Sequence, residues 1–216
     1  MTEPSGPGRL RSVRRIAWLA AAALAVTFGT LAWWRANAPQ EPPPVVITGE
    51  ADVRSEFSLT DHSGRPVTEA DFAGRWQVVF FGFTNCPDIC PTTLAYIASV
   101  LDLLGDRAER VAPLFITVDP ARDTAPVMAA FVAAFHPRLI GLTGTEAQVA
   151  GAAQNFRVYT EKMADAAAPD GYLMAHAGYI YLMTPEGRFE AVFRENGQPP
   201  EAMAEEIVMR IEKEER

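Results

Sequence analysis

Residues 76–83 (WQVVFFGF) are apolar through their second half, which fits a central strand buried on both faces of a sheet. The run feeds directly into Thr84-Asn85-Cys86-Pro87-Asp88-Ile89-Cys90-Pro91. From 91 to 104, apolar residues at Leu94, Ile97, Ala98, Leu101 and Leu104 recur at helical spacing until Gly105 can end the helix. The pattern then repeats. Residues 114–118 read as a second buried strand, 124–135 as a helix, 139–142 as a short strand, and 145–154 as a helix capped by Thr145.

A hairpin around Ser63-Gly64, spanning 57–67, opens this series. A second hairpin, 179–183 with 188–193, and a helix over 200–214 close it. This order is that of an α/β thioredoxin-like domain, a central mixed sheet with helices on both faces. At 216 residues and 49% apolar composition, the chain has room for one such domain and an appendage. The cysteine motif falls at the C-terminal end of the first central strand, where open α/β sheets place their sites.

The appendage is the uncharged stretch 16–34 (IAWLAAAALAVTFGTLAWW), long enough to span a membrane as one helix and ending in two tryptophans suited to the interface. Arg9, Arg11, Arg14 and Arg15 precede it and only Arg35 closes it. The positive-inside rule therefore leaves residues 1–15 in the cytoplasm and exports the rest, placing an inner-membrane protein's domain in the periplasm. A cleaved signal peptide is the competing reading, because Ala36-Asn37-Ala38 has a small-x-small pattern. Against it stand the length of the stretch, the Trp pair and Pro39. Residues 35–50 are a Pro-rich linker and 51–216 the domain. Positions 36–216 hold 14 basic and 26 acidic residues, a balance that argues against a nucleic-acid partner.

Cys86 and Cys90 are the only cysteines. Outside the cytoplasm such a pair is either a disulfide or a dithiol kept reduced by a partner or a metal. Pro91 belongs in a helix's first turn, so Cys90 is expected at or beside the N-cap, where the helix dipole favours thiolate over thiol. Spacing of i and i+4 lets both sulfurs face one ion and also allows them to close on each other, as a redox pair would.

Two thiolates leave a soft ion short of a ligand. His62, in a predicted turn, and His136, before Pro137, read as surface or capping residues. His176, in Ala175-His176-Ala177 ahead of the last hairpin, can fold back over the strand end or serve as a buried, hydrogen-bonded histidine. A Cys2His set favours copper, Cu(I) through its thiolates or Cu(II) with the imidazole added. Zinc with a bound water stays open, and an iron–sulfur cluster lacks cysteines. Asp119, Asp123 and Thr124 read first as a turn and helix cap, and second as carboxylates near the ion. Met163 and Met174 read as core filler before thioether ligands.

Residues 82–94 (GFTNCPDICPTTL), 114–124 (LFITVDPARDT), 140–145 (IGLTGT) and 181–189 (YLMTPEGRF) together resemble the Sco/SenC family of membrane-tethered copper chaperones. The resemblance implies a thioredoxin fold, with copper held by Cys86, Cys90 and His176. It also implies delivery of that copper to the binuclear copper centre of a cytochrome c oxidase subunit, or reduction of that subunit's cysteines by the Cys86–Cys90 pair. A copper donor protein and a thiol reductant would be further partners. The family usually has Asp-His-Ser or similar where this chain has Ala175-His176-Ala177, so a carboxylate and a hydroxyl that could orient the ligand are missing.

Overall fold

In a computed structural model, the chain is described over residues 7–37, 53–166, 168, 170–194 and 198–214. The predicted linker lies outside the described residues from position 38 onward. The contacts divide the chain into two units, residues 1–42 and 43–216.

The first unit is one helix, α1 (Pro7–Asn37). Its side chains from 16 to 30 are all exposed and predominantly apolar, including Trp18 and Phe28. Its two threonines bond inward: Thr27 Oγ1 donates to the Ala23 carbonyl at 2.8 Å and Thr30 Oγ1 to the Thr27 carbonyl at 3.0 Å.

In the second unit, β1 (Ser58–Asp61) and β2 (Pro66–Thr68) form the opening hairpin. They are followed by β3 (Trp76–Gly82), α2 (Ile89–Leu104), β4 (Val111–Thr117), α3 (Ala125–Ala133), β5 (Ile140–Thr143) and α4 (Glu146–Asn155). The chain continues through β6 (Thr160–Ala164), β7 (Tyr172–His176), β8 (Ile180–Met183), β9 (Phe189–Phe193) and α5 (Pro200–Glu214). Seven strands form one mixed sheet in the order β2-β1-β5-β4-β3-β8-β9. β3, β4 and β5 run parallel, while β8 pairs antiparallel with β3. Every residue of β3 and β4 is buried, as expected of central strands covered on both sides.

Phe80 and Phe115 pair across β3 and β4 and stack at 5.9 Å, and Phe115 meets Phe131 of α3 at 5.6 Å. Phe81, on the opposite pleat, meets Phe156 just after α4 at 5.2 Å. Helices therefore cover both faces of the sheet, with α5 packed along α2. The arrangement is the thioredoxin-like one expected from the sequence.

Several local expectations hold. Thr145 caps α4 in a reciprocal box with Gln148, and Gly105 ends α2 at φ 54°, a conformation that suits glycine. Three differ. α2 begins at Ile89 with Asp88 as N-cap, so Cys90 is the second helical residue, one position further in than at or beside the cap. The strands β6 and β7 were not expected, and His176 ends β7 instead of standing at the start of the last hairpin. β6 and β7 pair only with each other, and their intermediate or exposed residues lack the buried alternation that marks a strand in sequence. The segment Ile89–Arg110 is as long and apolar as a membrane span, but half of it is buried inside this unit, where α2 forms part of the core.

Candidate metal centre

Three strand ends meet at one edge of the sheet. β3 delivers the loop 83–88 and the start of α2, and β4 delivers the loop 118–124. β8 runs the other way, with Ile180 opposite Phe80, so the residues leading into β8 reach the same edge. His176 is four positions before Ile180.

The Sγ atoms of Cys86 and Cys90 and a ring nitrogen of His176 all lie within 4.8 Å of one another. Both cysteines are free. Cys90 is fully buried and Cys86 half-buried, so one sulfur faces the core and the other is accessible. His176 Nε2 is 3.5 Å from Cys90 Sγ. Its Nδ1 lies 3.3 Å from the Ala177 carbonyl, which can only accept a hydrogen bond. In the tautomer that donates from Nδ1 to this carbonyl, Nε2 turns its lone pair toward the sulfurs, the form that can ligate an ion; with the proton on Nε2 the ring instead donates to the Cys86 thiolate and helps to lower it. Edge-to-face packing against Phe83 at 5.8 Å and Phe80 at 6.1 Å fixes the ring plane.

The sulfurs are unequal. A hydrogen bond from the Cys90 thiol lowers Cys86 to about 4 despite partial burial, and the Cys90 backbone N–H adds a contact at 3.5 Å. Cys90 moves upward for the same reason, since its proton is held by Cys86, and its own burial adds to the effect. The pair thus presents one thiolate outward and one protonated thiol inward. It is a donor set suited to a soft ion and equally to thiol–disulfide exchange.

Asp123 is fully buried and does not cap α3 through its side chain. Its carboxylate accepts from Thr84 N at 3.0 Å, Thr84 Oγ1 at 2.6 Å and Thr117 Oγ1 at 2.6 Å, tying the cysteine loop to the end of β4. Burial raises its carboxyl, and these hydrogen bonds oppose the rise. Asp119 pairs with Arg122 and accepts from the Tyr172 hydroxyl at 3.1 Å. Neither carboxylate belongs to the three-atom cluster, so both support the loops around it.

The other candidates lie elsewhere. His62 Nδ1 accepts from Gly141 N at 3.0 Å, and His136 Nδ1 accepts from Arg138 N at 3.1 Å, both roles in chain bracing. Met174 packs against the core as a filler would, whereas Met163 is exposed and fills nothing. Sequence reasoning missed Gly82, Arg122 and Tyr172. Gly82 had a signal, being the one residue without a side chain in the apolar run just before the cysteines. Tyr172 had none, because its partner is fifty positions away.

A Cβ on Gly82 would lie 2.6 Å from Cys90 Sγ and 2.9 Å from Phe115 Cε2, inside any real contact. Gly82→Ala is therefore expected to push the inner sulfur away from His176 and to cost about 1–3 kcal/mol in stability. Urea unfolding and the stoichiometry of metal binding measure the two effects. Thiol alkylation tests the asymmetry. Because Cys86 is lowered to about 4, its thiolate stays populated between pH 6 and 8 and is lost only as pH falls through that value. Its alkylation rate should stay nearly flat over this range, where an ordinary thiol would accelerate close to a hundredfold, about what a pKa near 8.5 gives.

A family model described as SCO1/SenC matches residues 46–212. A mouse relative, the mitochondrial SCO2 homolog, is 43% identical over 175 residues, covering 80% of this chain and 64% of its own length. The fission-yeast protein sco1 is 42% identical over 160 residues, 73% of this chain and 60% of that protein. The chain thus spans somewhat less than two thirds of either. Among solved structures, copper-bound ScoI of Bradyrhizobium japonicum superposes with a TM-score of 0.68 at 38% identity, covering 73% of this chain and 98% of that one.

Proposed function

The chain belongs to the SCO1/SenC family, and from that premise we propose that it is a membrane-tethered copper metallochaperone that binds copper through Cys86, Cys90 and His176. The observation that supports this most directly is the convergence of two free sulfurs and an imidazole nitrogen within 4.8 Å at an accessible sheet edge. Two thiolates satisfy Cu(I), and the imidazole completes a set that also holds Cu(II). Zinc fits the same donors less well, since it would need a fourth ligand from water. The oxidase target, the binuclear copper centre of a cytochrome c oxidase subunit, follows from the family resemblance.

In this reading residues 16–34 of α1 are the anchor. An apolar stretch with inward-bonded threonines suits a lipid environment, and the arginines in the turns of α1 ahead of that stretch favour a cytoplasmic N-terminus. Residues 35–50 then serve as the spacer and 51–216 as the domain on the periplasmic side. Protease added to intact spheroplasts is expected to digest the domain and leave the N-terminal segment protected. Protection of the domain instead would reverse the topology.

The unequal cysteines support a second activity, reduction of the oxidase subunit's copper-site disulfide. The Cys86 thiolate would attack one sulfur of that disulfide and release the other as a thiolate. Cys90 would then give up its proton to the released thiolate and attack Cys86. This step frees the second partner sulfur and leaves a Cys86–Cys90 disulfide, two electrons having passed to the partner.

One titration separates the activities. Reduced protein given Cu(II) should develop sulfur-to-copper charge-transfer absorption, and a flat spectrum would remove the copper reading. His176→Ala should weaken copper retention by at least about 10–100-fold, the range for losing a partner that only orients a ligand. The same variant should reduce an oxidised dithiol peptide at the wild-type rate. A Cys90→Ser variant that traps no mixed disulfide with that peptide would count against the redox activity.

A further inference from the structure

The β6–β7 hairpin belongs to a sheet of its own, so no ladder hydrogen bonds place His176 opposite the cysteines. What faces the hairpin instead is one guanidinium. Arg122, in the loop after β4, pairs with Asp119 through Nε, while its Nη1 reaches the Tyr172 carbonyl at 3.4 Å and Asp170 at 3.3 Å. Its carbon centre lies 3.9 Å over the Tyr172 ring, and the Tyr172 hydroxyl returns to Asp119. On the other side the same guanidinium is 5.8 Å from the Phe83 ring, which stands edge-on to His176.

We propose that Arg122 is a positioning residue for the third ligand, clamping β7 against the cysteine-bearing edge so that the His176 imidazole stays over the sulfurs. The inference rests on the copper reading above. Tyr172 and His176 are four residues apart in one strand and share a face, so anchoring the first fixes where the second projects. The arginine reaches His176 by two routes, the strand through Tyr172 and the aromatic contact through Phe83. Its remaining nitrogen, Nη2, is buried with no hydrogen-bond partner among the described residues. Lysine cannot replace the arginine, because an ammonium lacks the planar fork that binds Asp119 and the hairpin while lying flat on a ring.

The consequence is selective for oxidation state. Cu(I) is served by two thiolates, while Cu(II) depends on the imidazole. Loosening the clamp should therefore weaken Cu(II) and spare Cu(I).

The test uses the full chain titrated with Cu(II), and with Cu(I) against a chromophoric chelator, in wild type, Arg122→Met, His176→Ala and the double variant. Arg122→Met should weaken Cu(II) about tenfold or more and reduce the nitrogen hyperfine signal in its electron paramagnetic resonance spectrum. Its Cu(I) affinity should move by less than about threefold, and Arg122→Lys should behave similarly. In the His176→Ala background the Arg122 substitution should add nothing beyond about twofold, since it acts through the ligand already removed. Equal Cu(II) losses in both backgrounds, or no loss where His176 is present, would overturn the clamp while leaving the copper reading intact. Failure of wild type to bind copper would overturn both. Should Arg122→Met not fold, Tyr172→Phe removes only the hydroxyl bond to Asp119 and should give the same pattern at about threefold amplitude. Unchanged Cu(II) retention in that folded variant would equally overturn the proposal.

Discussion

The antiparallel pairing of β8 with β3 is the constraint from which the site follows. Parallel strands β3 and β4 both end at one edge, so the loops after them meet there without further instruction. A histidine more than eighty residues further on can join them only if the strand it precedes begins at that edge. The register Phe80 with Ile180 provides that start. Had β8 run parallel, residues 177–179 would emerge at the opposite end of the sheet, some 20 Å away for strands of about six residues.

The polar groups behind this edge show what keeps the convergence specific. Asp123 sits fully buried and accepts three hydrogen bonds that join the cysteine loop to β4, and its own carbonyl accepts from Thr143 Oγ1 of β5 at 2.6 Å. A buried carboxylate is costly unless every such bond is made, so this network tolerates one loop geometry and penalises the rest. Gly82 applies the same restriction sterically, because the space a side chain would fill is occupied by Cys90 Sγ. The inner sulfur is thus located by hydrogen bonds on one side and close packing on the other. The outer sulfur stays accessible.

The central strands were legible because a strand buried on both faces is apolar along most of its length, as 78–81 and 114–116 are, with Gln77 and Thr117 the buried polar exceptions of β3 and β4. Helix ends were legible where they use local chemistry, as at Thr145 with Gln148. The hairpin β6–β7 was not legible, for it is held by contacts distant in sequence: Tyr172 to Asp119, and Arg122 to Asp170. Of the two cap candidates before α3, Thr124 is the N-cap and Asp123 is not, and only the fold reveals that Thr84 and Thr117 claim the oxygens of Asp123. The cysteines and His176 could be named from the sequence, but the unequal exposure of the two sulfurs depends on α2 starting at Ile89, which Pro91 alone does not fix.

The alanines beside His176 remove less than their chemistry suggests. Orientation of the imidazole needs only an acceptor at Nδ1, and the Ala177 carbonyl is one that no side chain has to supply. What the missing carboxylate would add is charge. On the copper reading, two thiolates make the site neutral around Cu(II) and leave a single negative charge around Cu(I). A further carboxylate would make those charges minus one and minus two. Because Cys90 is fully buried, each additional uncompensated charge carries a desolvation cost, and the nearby Arg122 is already paired with Asp119. A neutral acceptor beside His176 therefore keeps both oxidation states within one charge of neutrality, and so lowers the desolvation cost of holding copper in either form.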